Sequence, residues 1–235
     1  MSTGRRSRLT QLEDLIGEPI GLADYSRERL AAHVQQRLTT RETRRLASRD
    51  IDRRHTTMAD VGLAGRVLQL QWELGLSADV RSARDATADL FRSGNVILSG
   101  PTRANPWVEL FEPRLNFETR FDTATRRASV ANRAPRPGEE SSYRAQWGVR
   151  GYCRVAYLPG RGGTGSVLLV SATDMTSTEA GGDFITSEHY VRELLTRLQV
   201  VEDRPIPFFE VLLRSTLVIN SASAPELVAY RVVAP

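Results

Sequence analysis

Residues 95–107, NVILSGPTRANPW, hold the pattern that decides the fold class. Val96, Ile97 and Leu98 run without polar alternation, which predicts a central strand covered on both faces. Gly100-Pro101 breaks the strand, and Asn105-Pro106 has the form of a helix N-cap followed by proline at the first helical position. A strand that passes through a short loop into a helix is the repeating unit of α/β domains. In such domains ligands bind beyond the carboxyl ends of the strands, where free helix N–H groups favour anions and polar oxygens.

Residues 166–182, SVLLVSATDMTSTEAGG, repeat the design: an apolar strand over 166–172, then a hydroxyl-rich loop. There Thr176-Ser-Thr-Glu179 has capping-box spacing. Between and around these segments the periodicity predicts strands over 78–83, 117–121, 128–132, 151–158, 208–219 and 227–233, and helical blocks at 87–91 and 176–198. Residues 160–163 and 220–225 read as hairpin connections, and 134–148 as a loop that is a lid or an insertion. A helix over 58–74 has Thr56 and Thr57 as candidate N-caps and Gly75 as its stop. Its two apolar rows, Val61-Ala64-Leu68-Trp72 and Leu63-Val67-Leu70-Leu74, predict a helix lodged in the core. The sheet is therefore mixed. The fold expected is a Rossmann-like three-layer α/β domain over 55–235, with an antiparallel C-terminal hairpin, preceded by a basic helical arm over 1–54.

Within the arm, residues 1–24 read as an exposed lead-in and 26–48 as one helix. Leu30, Val34 and Leu38 form its stripe, and Arg37, Arg41, Arg44 and Arg45 continue the same face. The net charge of +4 arises wholly here: residues 1–55 hold 12 arginines against 8 acids, whereas the rest of the chain carries 20 against 20. Such a face suits nucleic acid or an acidic partner, although a solvated helix has the same appearance.

Composition narrows the chemistry. The chain of 235 residues is 40% hydrophobic and 26% charged, an ordinary globular balance. All 32 basic residues are arginine, which excludes Schiff-base chemistry, pyridoxal phosphate attachment and a P-loop lysine. Cys153 is the single cysteine, so no internal disulfide forms, and its place in a strand pattern predicts a buried, inert thiol. No run approaches ~20 consecutive apolar residues, and the start lacks a secretory pattern, so the expected location is cytoplasmic. His33, His55 and His189 are scattered, and no H-E-x-x-H, C-x-x-C or G-x-S-x-G occurs. No metal site is expected, and no cofactor is identified. His55 directly precedes a helix start, a place that suits facing the same pocket as the loops, although an exposed histidine there is the commoner case.

The candidate ligand-binding residues lie on the two loops. On the first, Gly100 lets backbone approach a ligand, Arg103 clamps a phosphate or carboxylate, Trp107 stacks on a ring, and Ser99 and Asn105 complete the turn. On the second, Thr173, Asp174 and Thr178 orient the ligand and Glu179 adds a carboxylate. The same residues also make sense as two well-capped strand-to-helix turns. The function expected is a non-enzymatic regulatory or sensor domain for a small polar, nucleotide-like molecule, with a protein partner or a second copy also conceivable. The alternative is a hydrolase or glycosyl-transferring enzyme that uses Glu179 and Asp174 as acid and base.

VILSGPTRANPWVELFEPRLNF (96–117), LLVSATDMTSTEAGGDFIT (168–186), FFEVLL (208–213) and VAYRVV (228–233) together resemble an uncharacterised bacterial family of Rossmann-like domains, over roughly residues 55–233. Its members are often attached to winged-helix DNA-binding or membrane segments. The resemblance implies a ligand-sensing pocket at the two turns and carries no reaction with it. The chain departs from the family in lacking a clear strand before Met58 and an evident winged helix or membrane helix.

Overall fold

The computed structural model describes residues 8–25, 27–52, 56–201, 204–218, 221–222 and 224–234. Helices α1 (Arg8–Ile16), α2 (Arg27–Arg37) and α3 (Arg41–Asp52) come first. The segment from residue 9 is no exposed lead-in, because Leu9, Leu12 and Ile20 are buried against Leu30, Val34, Leu38, Ala47 and Ile51. The breakers between Gly17 and Gly21 fold the chain back on α1, where the Ile20 N–H donates to Glu13 Oε1 at 3.0 Å. The predicted helix over 26–48 is two helices. Thr40 restarts the chain as α3, its Oγ1 accepting the Thr43 N–H at 3.2 Å. That break removes the continuous face expected of Arg37, Arg41, Arg44 and Arg45, since the first belongs to α2 and the others to α3.

Helix α4 (Met58–Glu73) begins with a capping box in which Thr57 and Asp60 exchange side-chain and backbone bonds. It ends in a Schellman turn: Gly75, at φ +69°, donates to the Trp72 carbonyl, and Leu76 to that of Gln71. No strand forms over 78–83. The chain runs exposed through 72–81 to a 3-10 turn at Ala83–Asp85 and the short helix α5 (Leu90–Ser93).

The strands are β1 (Val96–Ser99), β2 (Phe117–Asp122), β3 (Arg127–Asn132), β4 (Ser142–Arg144), β5 (Arg150–Pro159), β6 (Ser166–Ala172), β7 (Phe209–Val218), β8 (Ser221–Ala222) and β9 (Glu226–Val232). The larger sheet has the order β1-β6-β5-β7, with β8 and β9 both pairing β7. β1 and β6 run parallel, Val96 opposite Val167 and Ser99 opposite Val170, and the sheet's other pairings among described residues are antiparallel. β1 therefore lies at the edge and not at the centre, and Ile97 is 42% exposed. Of the triplet only Leu98 is buried, so the expected cover on both faces is absent: an unbroken apolar run does not say how many neighbours a strand has. β2, β3 and β4 form a separate antiparallel sheet, whose last strand arises inside the region that reads as loop.

The two faces of the larger sheet are covered differently. Cys153, Val155, Val170, Val211 and Leu213 pack under α6 (Met175–Thr186), α7 (Glu188–Arg197) and Leu63 of α4. On the other face, Ala156, Leu158, Val167 and Leu169 meet Phe91, Val108 and Phe111 from short helical turns. Beside them Tyr152, Leu212 and Ala229 meet Phe117, Val130 and Tyr143 of the small sheet. The architecture is mixed α/β, with long helices on one face and a β-layer with 3-10 turns on the other. Consecutive glycines set the spacing of the helical layer. A Cβ on Gly181 would stand 2.5 Å from Cys153 Sγ, and one on Gly182 would stand 3.3 Å from a Leu63 methyl, so α6 sits tight on the sheet and α4 tight on α6. Among the described residues no helix is long and apolar enough to cross a membrane.

Charges are buried between the β-layers. Arg154 on β5 is fully buried; it donates to both Glu112 carboxylate oxygens at 3.0 and 2.8 Å and to the Phe117 carbonyl at 2.6 Å. Glu210 on β7 accepts the N–H groups of Asn116 and Phe117 at 2.7 and 2.8 Å. Burial pushes the Glu210 carboxyl above its ordinary range, against the opposing pull of Arg154 and the two N–H donors. At the far end Arg231 on β9 holds both oxygens of Glu139, which keeps that carboxyl at about 2.

Arg154→Ala is expected to cost about 3–5 kcal/mol in urea denaturation, because Glu112 is left without its buried partner, whereas Arg192→Ala at an exposed helix pair shifts stability by less than about 0.5 kcal/mol. The folded-state value of Glu139 lies below its ordinary one. Its contribution is therefore complete above about pH 5 and is lost as pH falls toward 2. Urea midpoints across that window should fall for the wild type and fall less for Glu139→Gln.

Candidate functional site

The parallel pairing of β1 with β6 sets the two predicted loops side by side. The Gly100 N–H donates to the Val170 carbonyl at 2.9 Å, and Ser171 Oγ donates to the Gly100 carbonyl at 3.0 Å. The polar groups of the first loop are engaged within the fold. Ser99 Oγ donates to Asp60 Oδ1 at 2.5 Å, and Asn105 Nδ2 to the Ser99 carbonyl at 3.1 Å. Asn105 Oδ1 accepts the Trp107 N–H, capping a 3-10 turn at Pro106–Leu110. Trp107 Nε1 donates to the Ala83 carbonyl at 2.8 Å, and its ring lies 4.9 Å from that of Phe91. Trp107 thus anchors the turn. The Arg103 guanidinium lies over the Phe121 ring at 4.5 Å and reaches to 3.9 Å from Glu13, whose carboxyl is raised chiefly by burial. The hollow beside Arg103, lined by Thr10, Asp14, Phe121, Thr123 and Arg126, has a volume of about 60 Å³. That is room for a few waters.

In the second loop the helix cap is Asp174, two residues ahead of the predicted Thr176–Glu179 box. Asp174 Oδ1 accepts the Ser177 N–H at 2.8 Å, so the helix is already closed before Thr176. Thr173 Oγ1 accepts the Tyr152 N–H at 2.9 Å and donates to Asp174 Oδ2 at 3.1 Å, and Thr178 Oγ1 donates to the Asp174 carbonyl at 3.0 Å. Glu179 is five residues beyond Asp174, roughly 140° around the helix and about 7.5 Å along it. Glu179 is not among the residues that line the hollow beside Asp174.

Asp174 instead lines a hollow of about 150 Å³ with residues 146–151, Thr176 and Ser215. The turn before β5 forms one wall, closed by the Gln146 N–H to the Arg150 carbonyl at 2.8 Å. Gly151 admits the helix end: a Cβ there would stand 2.1 Å from both Asp174 Oδ2 and Ser177 Oγ. Ser177 and Ser215, both buried, share a hydroxyl–hydroxyl bond at 2.8 Å beside it. Trp147, 67% exposed, and Arg150 stand at the rim. The arrangement offers one aromatic face, one guanidinium, the hydroxyls of Thr176 and Ser215, and the amino end of α6. The sequence reading missed Trp147, Arg150, Thr176 and Ser215. One signal was present: a tryptophan beside a glycine in an otherwise polar loop.

The remaining candidates are placed as follows. Arg37 pairs with Glu18, and Arg44 Nε donates to the Leu38 carbonyl at 2.7 Å; Arg41 and Arg45 are exposed on α3. His55 lies outside the described residues. Cys153 is buried, and burial pushes its thiol up to about 12, which leaves it inert. Gly160-Arg-Gly-Gly-Thr-Gly165 has G-x-G-x-x-G spacing but joins the antiparallel strands β5 and β6 and opens no helix, so it is a hairpin loop and not a phosphate cradle. Among the described residues no group of three His, Cys, Asp or Glu is arranged to hold a metal ion. No protein-family model, curated protein or solved structure matches the chain.

Gly151→Ala is expected to lower stability by about 1–3 kcal/mol through overpacking against Asp174 and Ser177, and Asp174→Ala by about 1 kcal/mol through loss of the cap. Equilibrium denaturation of the two variants checks both.

Proposed function

We propose that the chain is a non-enzymatic binding domain, regulatory or sensory in role, whose ligand is a small polar molecule held at the amino end of α6. The observation that carries this reading is the hollow bounded by Trp147, Arg150, Asp174, Thr176 and Ser215. Its volume of about 150 Å³ is that of a cavity which admits one ring, and it falls short of the roughly 300–1,000 Å³ that enclose a drug-sized ligand. A nucleotide-like molecule would bury one ring or sugar against Trp147. Its phosphate or carboxylate would stay at the rim on Arg150. Binding is favoured over acid–base catalysis because Asp174 caps the helix and Glu179 stands apart from it. The Rossmann-like kinship belongs to the same proposal and draws on the parallel β1–β6 pair with its adjoining loops. A cytoplasmic setting is likewise part of the proposal, in keeping with a buried, reduced Cys153.

The test is thermal denaturation with a panel of nucleotides, sugar phosphates and small carboxylates. A binder at 100 times its Kd stabilises by about 2.7 kcal/mol, a rise of roughly 5–10 °C for a chain of this size. Trp147→Ala and Arg150→Ala should abolish the rise and leave the unliganded Tm within about 2 °C. A flat response across the panel, or a rise unaffected by both variants, overturns the proposal.

A further inference from the structure

Helix α4 carries two apolar stripes, and the fold uses one. Ala59 and Leu63 are buried, with Leu63 against Gly182 of α6. The other stripe, Met58, Val61, Gly65, Leu68 and Trp72, follows the 3-4-3-4 spacing of a coiled-coil seam. All five are exposed, Met58 and Trp72 at 78% and 80%. Past the helix, Leu74, Leu76 and Val80 are exposed as well, at 62%, 57% and 60%, so exposed apolar side chains continue along the chain beyond the seam. A patch of this extent on a single chain marks an interaction surface.

We infer that this face pairs with the same face of a second copy, α4 against α4, antiparallel about a two-fold axis. The seam is complementary to itself only in that direction. With the axis between residues 66 and 67, Leu68 of each copy meets Gly65 of the other and Trp72 meets Val61, so each layer within the two helices sets a large side chain against a smaller one. A parallel pair would set Trp72 on Trp72 and leave a void where Gly65 meets Gly65. Space for the knobs exists, since a Cβ on Gly62 or Gly65 would have nothing within 4 Å. Charge also permits self-pairing: the positions that flank the seam are Thr57, Gly62, Ala64, Gln69 and Gln71, all neutral, so two identical copies bring no like charges together.

Sedimentation equilibrium on the full chain tests the inference. The expected mass is twice 26.2 kDa, and Leu68→Glu, a change at an exposed position, should weaken the dimer by at least about 100-fold while the circular dichroism spectrum is unchanged. Register is read by oxidation. Gly65→Cys and Leu68→Cys chains cross-link when mixed and not when alone, and the buried Cys153 stays out of the reaction. A single-chain mass at 100 µM, with or without hydrogen-exchange protection of α4 by the chain's own termini, overturns the proposal. A dimer that survives Leu68→Glu does so as well, as does cross-linking of Gly65→Cys with itself.

Discussion

The guanidinium of Arg154 lies between two β-layers with no exposure to solvent, and a charge so placed is tolerable only when every neighbour is turned toward it. Glu112 answers with both oxygens, the Phe117 carbonyl with a third bond, and Glu210 on the next strand takes the two N–H groups at the start of β2. Together these bonds fix residues 112–117 against the larger sheet. The chain therefore leaves its 3-10 turns as a strand running over that sheet, and a second β-layer occupies the face where a doubly wound domain would place helices. Among the described strands β1 pairs with β6 alone and lies at the edge. The cost is visible too: Arg154 Nε has no partner in a buried position, and burial, with the nearby Glu112 carboxylate adding to it, pushes Glu210 upward.

The same topology decides where a ligand can sit. The loops after β1 and β6 are neighbours, as parallel pairing requires, but β6 is flanked on its other side by an antiparallel strand. The beginning of β5 therefore lies beside the end of β6, and the wall of the hollow comes from residues 146–151, not from the loop that carries Arg103. Gly151 makes the junction close, and Ser215 joins because it pairs with Gly151 across β5 and β7. Arg103 is drawn the opposite way, onto Phe121 and toward the N-terminal helices.

Helix α4 shows how a pattern read correctly leads to a wrong location. Its two apolar rows do call for burial on two sides. Within one chain, α6 supplies one side only, and the row containing Leu68 and Trp72 faces solvent. The width of an apolar face counts the partners a helix needs; it does not say whether they belong to the same molecule.

By itself the sequence determined what depends on a few neighbouring residues. The bounds of β6, the start of α4 at Thr56 or Thr57 and its Gly75 stop, the buried stripe of Leu30, Val34 and Leu38, and the inert Cys153 all follow from periodicity, capping chemistry and side-chain burial. The break at Thr40 and the cap at Asp174 are local too, since each side chain accepts an N–H three residues on, but tertiary structure alone decided the edge position of β1 and the divergence of Arg103 from Asp174. Each of these turns on which distant segment arrives first at a backbone group or a sheet face. That competition is settled by pairing across scores of residues, beyond the reach of any local pattern.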